Sequence, residues 1–295
     1  MTTFLPIRTD DDALAGYARL LAACFPGTRK FTGPYLQWLY RDNPDGAALG
    51  FDAWDGDQLA AHYVCIAARA VIDGAAVPVP VLLSLNTATH PAYQGRGLFT
   101  RLAALTYAAG AGRGCHGVYG VANAHSTPGF VRKLGFQLVR PLEARIGCGR
   151  LPPRAPGALS FVRHWDQASL AWRAACPGKP LDVRRCGPVW QFRAPALPLV
   201  HAYAELAASP EPDWSLPGVG GARWGAAPLR LFLGLRPAAG SGGAVGVHGV
   251  YGAYLRIPQR LRPSPLNLIY LPLAEGSVRL APEAIDFSFL DFDAY

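Results

Sequence analysis

Lysine is all but missing. Three of the 28 basic residues are Lys30, Lys133 and Lys179, and the other 25 are arginines scattered singly among Ala, Gly and Pro. No block or stripe of basic residues interleaved with aromatics results, so nucleic acid is not an expected partner, and the scatter reads as the composition of a G+C-rich genome. The net charge of +8 still favours anionic small molecules. Metal-ligand spacing is missing too. Cys24, Cys65, Cys115, Cys148, Cys176 and Cys186 form no CxxC pair and have no His-rich neighbour, so no metal is expected and a reducing compartment fits best. Six cysteines leave a disulfide framework formally open, though a chain this long and apolar does not need one. No uncharged apolar run approaches the ~20 residues that span a bilayer. The first twelve residues, with acids at Asp10 to Asp12, lack the basic start and apolar stretch of a signal peptide. A cytoplasmic protein without a membrane span is the expectation.

What is there is apolar surface. With 51% hydrophobic, 11% aromatic and 16% charged residues over 295 positions, the chain has enough to offset its ordering entropy, and its length suits about two domains. Asp10 to Asp12 can cap a helix from about Ala13 to Cys24, whose Leu14, Tyr17, Leu20 and Leu21 recur on one face. Pro34 to Arg41 reads as a second short helix stopped by Asn43-Pro44. Gly50 to Trp54 and Gln58 to Ala68 flank Asp55-Gly56, a hairpin signal, and Val77 to Thr89 reads as a long buried strand.

That strand runs into Gln94-Gly95-Arg96-Gly97 and then the helical pattern Leu102 to Ala109. A strand passing through such a turn into a helix converges backbone N–H groups and the positive end of the helix dipole on one point, which suits a phosphate. Gly95 and Gly97 permit positive φ and close approach, and Arg96 adds a cation. The dinucleotide fingerprint needs a third glycine where Thr100 stands, and no Gly-Lys-Ser/Thr follows. A tight turn with no ligand stays open as the alternative.

Further on, Gly117 to Phe136 (GVYGVANAHSTPGFVRKLGF) gives a strand, then Asn123, a helix start at Ser126-Thr127-Pro128, and Lys133-Leu134-Gly135-Phe136. With the preceding Gln-Gly-Arg-Gly turn, the chain from roughly Phe4 to Val139 resembles the GNAT superfamily of N-acyltransferases. The resemblance implies an α/β (α+β) fold: a GNAT-type mixed, mostly antiparallel sheet with flanking helices over residues 1–149, then a second, degenerate GNAT-like domain over 150–295. It implies acetyl-CoA or another acyl-CoA as co-substrate, its pyrophosphate on Gln94, Gly95, Arg96, Gly97, Leu98, Phe99 and Thr100. The pantetheine would lie between splayed strands, against the backbone of Thr87, Ala88 and Thr89, with Asn123, Ser126 and Phe130 ordering the site.

One departure matters. The tyrosine that many GNAT enzymes use to protonate the leaving thiolate is replaced by Val131. Either another group supplies the proton or the thiolate leaves unassisted, its pKa of roughly 8 to 9 making it a fair leaving group. Tyr119, His125 and Ser126 are the nearest candidates; a core strand residue, a solvated loop residue and a helix N-cap are their structural alternatives. A base must also take the amine's proton. His62 and His90 are available, His62 only if strand alternation turns it inward. Asp291 is the remaining candidate, in a terminal segment where acids alternate with aromatics. That segment reads either as the lining of a cleft against the first domain or as a solvated edge strand.

From Leu151 to Pro156 a Pro-rich stretch reads as a linker. Beyond it, Ser169 to Pro177 echoes Tyr35 to Pro44, a hint of internal repetition. Strands are expected at Asp182 to Arg185, Val189 to Arg193, Leu229 to Leu235 and Leu266 to Leu273, a helix around Leu199 to Ala208, and a flexible glycine-rich loop at Gly234 to Gly249. Three functions follow from the resemblance: acyl transfer from acyl-CoA to a primary amine of a small molecule, non-catalytic acyl-CoA binding, or aminoacyl transfer of the Fem type. The Gln-Gly-Arg-Gly turn favours a coenzyme A donor. Trp38, Tyr40 and Asn43 with Pro44 resemble GNAT proteins of surface-polysaccharide pathways that acylate nucleotide-linked amino sugars, so the three are candidate substrate contacts or, alternatively, core. An antibiotic, polyamine or amino-acid amine is the other acceptor class, and the sequence is silent on oligomeric state.

Overall fold

The computed structural model describes residues 1–207, 216, 228–237, 252–262, 264–276 and 278–293. Its described residues form two compact units. One takes Met1–Ala70, Pro78–Arg140 and Asn267–Arg279, the other Val71–Val77, Pro141–Leu266 and Leu280–Tyr295. The fold is mixed α/β, its sheet mostly antiparallel and its helices few.

The first unit begins with β1 (Thr2–Pro6), α1 (Asp11–Cys24) and α2 (Gly33–Tyr40). Asp10 caps α1 by accepting the Ala13 N–H at 3.0 Å, and the helix buries Leu14, Tyr17, Leu20 and Leu21, the face its periodicity predicts. Then come β2 (Leu49–Asp55), β3 (Gln58–Ile72), β4 (Val79–Thr89), α3 (Leu98–Gly112), β5 (Gly117–Ala122) and β6 (Gln137–Pro141). Strands β1 to β4 pair antiparallel in sequence order, and β4 pairs parallel with β5. The far edge of β5 is taken by a strand from much later in the chain, β14 (Asn267–Pro272), antiparallel from Asn267↔Ala122 to Pro272↔Gly117. β6 lies beyond β14. The sequence predicts this strand but assigns it to the second half, because strand chemistry does not say which edge a strand joins. On one face α3 sets Leu98, Leu102, Ala103 and Tyr107 against Tyr63, Leu82 and Val118.

The second unit contains β7 (Glu143–Gly147), β8 (Phe161–His164), α4 (Gln167–Ala174), β9 (Asp182–Cys186), β10 (Val189–Leu197), β11 (Val200–Ala207), β12 (Leu229–Leu235), β13 (Tyr254–Arg256) and β15 (Ile285–Ser288). Its sheet runs β8-β15-β12-β11-β10-β9, with β7 bridging β12 and β13. The helix expected around Leu199 to Ala208 is instead β11. Its eight residues pair antiparallel with β10 behind a tight connection where Leu199 takes φ +64°. A short apolar run such as Val200 to Ala204 fits either period, and a paired neighbour decides it. Most of the Gly234 to Gly249 stretch lies outside the described residues.

The C-terminal alternation of acids and aromatics is a strand only to Ser288, after which Phe289–Asp291 makes one 3-10 turn. Asp291, expected at a cleft or on a solvated edge, is buried. It accepts the Trp165 indole N–H at 2.9 Å, and the Ser288 N–H and hydroxyl at 2.6 and 3.1 Å. Burial pushes its carboxyl up to about 6, against the pull of Arg163 and these donors. The folded state therefore holds the proton more tightly than the free acid, whose ordinary value is 3.8. Stability is greatest below that value and falls as pH rises towards 6, by roughly 3 kcal/mol. The melting temperature of an Asp291→Asn protein relative to wild type is expected to rise between about pH 4 and pH 7. A difference constant with pH contradicts this.

Candidate functional site

β4 and β5 pair at Leu82↔Val118, Leu83↔Tyr119 and Ser84↔Gly120 and then part. The cause is a bulge. Val64 faces Leu85 and His62 faces Ala88, so Asn86 and Thr87 together oppose Tyr63, with Asn86 at φ +46°. Asparagine is one of the few residues that accept this left-handed backbone. β5 meanwhile keeps its register with β14. A cavity of about 460 Å³ opens between them, lined by Ser84, Asn86 and Thr87 of β4, by Gly120 and Val121 of β5, and by Phe99 and Phe130. Past Ser84 the edge of β4 towards this cavity has no ladder partner, which leaves backbone donors and acceptors for a ligand.

The glycine turn lies at the end of β4. Gly95 and Gly97 take φ +78° and +72°, and α3 begins at Leu98. The first N–H of α3 to find a carbonyl behind it is that of Arg101, on Gly97 O at 3.2 Å. The N–H groups before it have no intrahelical acceptor and stand at the positive end of the helix dipole. They border a second cavity of about 250 Å³ lined by Gln94 to Thr100, Thr89 and Lys133. Arg96 lies over the Tyr93 ring at 4.7 Å and donates to Ala92 O at 3.1 Å. Lys133 was not among the predicted contacts, since only the winding of Gly129–Lys133 as a π-turn brings it here.

Asn123 and Ser126 close the loop after β5 on each other. Asn123 Oδ1 accepts the N–H groups of His125 and Ser126 at 3.0 Å, and Ser126 Oγ accepts the Asn123 N–H at 3.1 Å. These residues and exposed His125 line the larger cavity. Tyr119 does not; it is fully buried on β5 opposite Tyr270.

Behind the cavity lies a buried polar chain. Asn86 Nδ2 donates to the Tyr40 hydroxyl at 3.1 Å, which is 3.1 Å from His62 Nε2, and His62 Nδ1 is 2.7 Å from Asp52 Oδ1. Tyr17 donates to the other Asp52 oxygen at 2.6 Å, and its ring stacks on His62 with centroids 4.1 Å apart. Burial and the Asp52 charge push the Tyr17 hydroxyl up, so it remains a donor. His62, the proposed base, is thus wholly enclosed among α1, α2 and β2. Trp38, Tyr40 and Asn43, expected to touch substrate, are core residues. Trp38 and Tyr40 are 6% and 0% exposed, and Asn43 holds Ala67 O at 2.8 Å. An eight-residue helix with five buried positions has no face left for a sugar. Asp52 and Asn86 were missed by the sequence reading. Among the described residues no three His, Cys, Asp or Glu side chains gather as a metal-ligand set, and no helix is long and apolar enough to cross a membrane.

A cleft between parting parallel strands thus lies beside a glycine turn that opens a helix. Residues 6–139 match the family model of the acetyltransferase (GNAT) domain. The fold as a whole is shared with a conserved protein of unknown function from Enterococcus faecalis described as a probable N-acyltransferase, at TM-score 0.59 and 11% identity over 92% of this chain and 73% of that one. A GCN5-related N-acetyltransferase from Anabaena variabilis gives 0.56 and 9% identity over 92% and 73%. Eis1 from Mycobacterium abscessus gives 0.52 and 14% over 78% and 65%, so this match spans just under two thirds of Eis1. No curated protein matches the sequence.

Proposed function

We propose that the protein is an acyl-CoA-dependent N-acyltransferase that moves an acetyl or related acyl group to a primary amine of a small molecule. The carrying observation is the adjacency of two cavities, one at the N–H groups that open α3 and one where β4 and β5 part. The first suits a pyrophosphate and the second a thioester arm, which a single coenzyme A would fill together. The amine nitrogen attacks the thioester carbonyl carbon and the C–S bond breaks. The thiolate leaves, and the proton lost by nitrogen balances the one the thiol regains. In this reading, backbone N–H groups of β4 past Ser84 stabilise the oxyanion. His125 and Ser126 line the cavity and are the candidate proton carriers, whereas Tyr119 and His62 do not line it.

The acceptor class is a nucleotide-linked amino sugar or an antibiotic, polyamine or amino-acid amine. The aromatic helix no longer favours the first, since it is core. Val131 in place of the tyrosine acid supports a second reading, acyl-CoA binding without transfer. Thiol release from acetyl-CoA across a panel of a nucleotide-linked amino sugar, spermidine, an aminoglycoside and free amino acids separates the two. Turnover with at least one amine is expected. Binding without turnover selects the second reading, and no binding overturns both.

A further inference from the structure

We propose that Asn86 seats the acceptor's nitrogen, and that Tyr40, His62 and Asp52 are positioning residues that decide which end of the Asn86 amide is offered to the cleft. The inference rests on the acyl-transfer reading above. Asn86 is the first residue of the bulge that parts β4 from β5, held at φ +46°, half-buried, and on the wall of the larger cavity.

Its amide is not free to choose its orientation. The Asp52 carboxylate only accepts, and it takes the Tyr17 O–H and the proton on His62 Nδ1. His62 Nε2 in turn lies 3.1 Å from the Tyr40 hydroxyl. The Tyr40 oxygen accepts from Asn86 Nδ2 at 3.1 Å. The Asn86 amide is thus tied through Tyr40 and His62 to a buried carboxylate. Among the described residues no hydrogen bond reaches Asn86 Oδ1, so the carbonyl end is what remains for a ligand.

The chemistry of that end selects the ligand group. A carbonyl oxygen, polarised by a donor chain ending on a carboxylate, accepts strongly and donates nothing. An amine that gives it one N–H keeps its nitrogen lone pair for the thioester carbonyl. An ether or ester oxygen has no proton to give and is not seated. The charge that matters lies on Asp52, away from the cleft, so the amine's proton is not trapped in an ion pair there.

The test uses the full chain, acetyl-CoA and whichever panel amine the wild type turns over. Asn86→Gly retains the positive φ and removes the amide. It is expected to raise the KM for the amine at least about tenfold, well beyond any weakening of acetyl-CoA binding, which calorimetry reads separately. Tyr40→Phe leaves Asn86 in place and cuts its link to His62, and should raise the same KM. In the Asn86→Gly background, Tyr40→Phe should add less than about twofold, because it acts through a group no longer present. An unchanged amine KM in Asn86→Gly overturns the seat. An undiminished Tyr40→Phe effect in the double variant overturns the positioning role and leaves Tyr40 as packing. Should Tyr40→Phe fail to fold, Asn86→Gly still decides the seat. Failure of the acyl-transfer reading is distinct, because wild type would then release no thiol with any amine.

Discussion

A Gly95→Glu protein is expected to fold normally and to bind acetyl-CoA at least about a hundredfold more weakly, a loss near 3 kcal/mol. A Cβ at this position meets no atom within 4 Å, so packing does not oppose the start of a side chain. Its cost to folding is the positive φ of +78°, on the order of 1–2 kcal/mol for a residue with a Cβ. Its cost to binding is larger. The new carboxylate sits where the first N–H groups of α3 converge, repels a pyrophosphate, and can occupy those donors itself. Gly95→Ala carries the strain without the charge and should keep affinity within about tenfold of wild type. Calorimetry with acetyl-CoA reads both, and equal affinity of Gly95→Glu and wild type would remove the turn from the binding site.

Asp52→Ala is expected to destabilise the first unit by about 3–5 kcal/mol, the usual range when one partner of a buried charged network is deleted. Asp52 is 2% exposed and accepts from both Tyr17 and His62. Without it, two buried donors lose their acceptor and the space of a carboxylate is left empty. A drop in Tm of roughly 10 °C follows for a unit of this size. Asp10→Ala, which removes an exposed helix cap, should cost only about 1 kcal/mol. Similar melting curves for the two variants would show that the buried chain contributes little to stability.

The parts legible in the sequence are those set by neighbours along the chain. α1 announces itself by its cap and its apolar face, and the turn at Gln94 to Gly97 by glycines between a strand and a helix. His62 could be named, but its partner could not. Regular pairing back from the hairpin turn sets Asp52 opposite Ala61, and a bulge between Ala53 and Trp54 moves it opposite His62. The second bulge, at Asn86, hides the cavity's polar wall in the same way, because one extra residue reverses which face a side chain takes. Trp38 and Tyr40 were legible as aromatic and not as core. Their helix shows few polar residues by which to tell its inner face from its outer one.

The strand that covers the outer edge of β5 has a consequence for synthesis. Everything else in the first unit's sheet has been made once residue 141 is built, yet Asn267–Pro272 arrives more than a hundred residues later. Until then the nascent sheet ends in the bare backbone of β5, and β6 has no strand to lie against. A growing chain in that state exposes an open edge able to pair with another copy. Closure over so long a loop is also slow compared with local hairpins. The segment that matches the family model is therefore complete as a sequence match well before it is complete as a sheet. Cutting a fragment at the match boundary would free the edge that the later strand conceals.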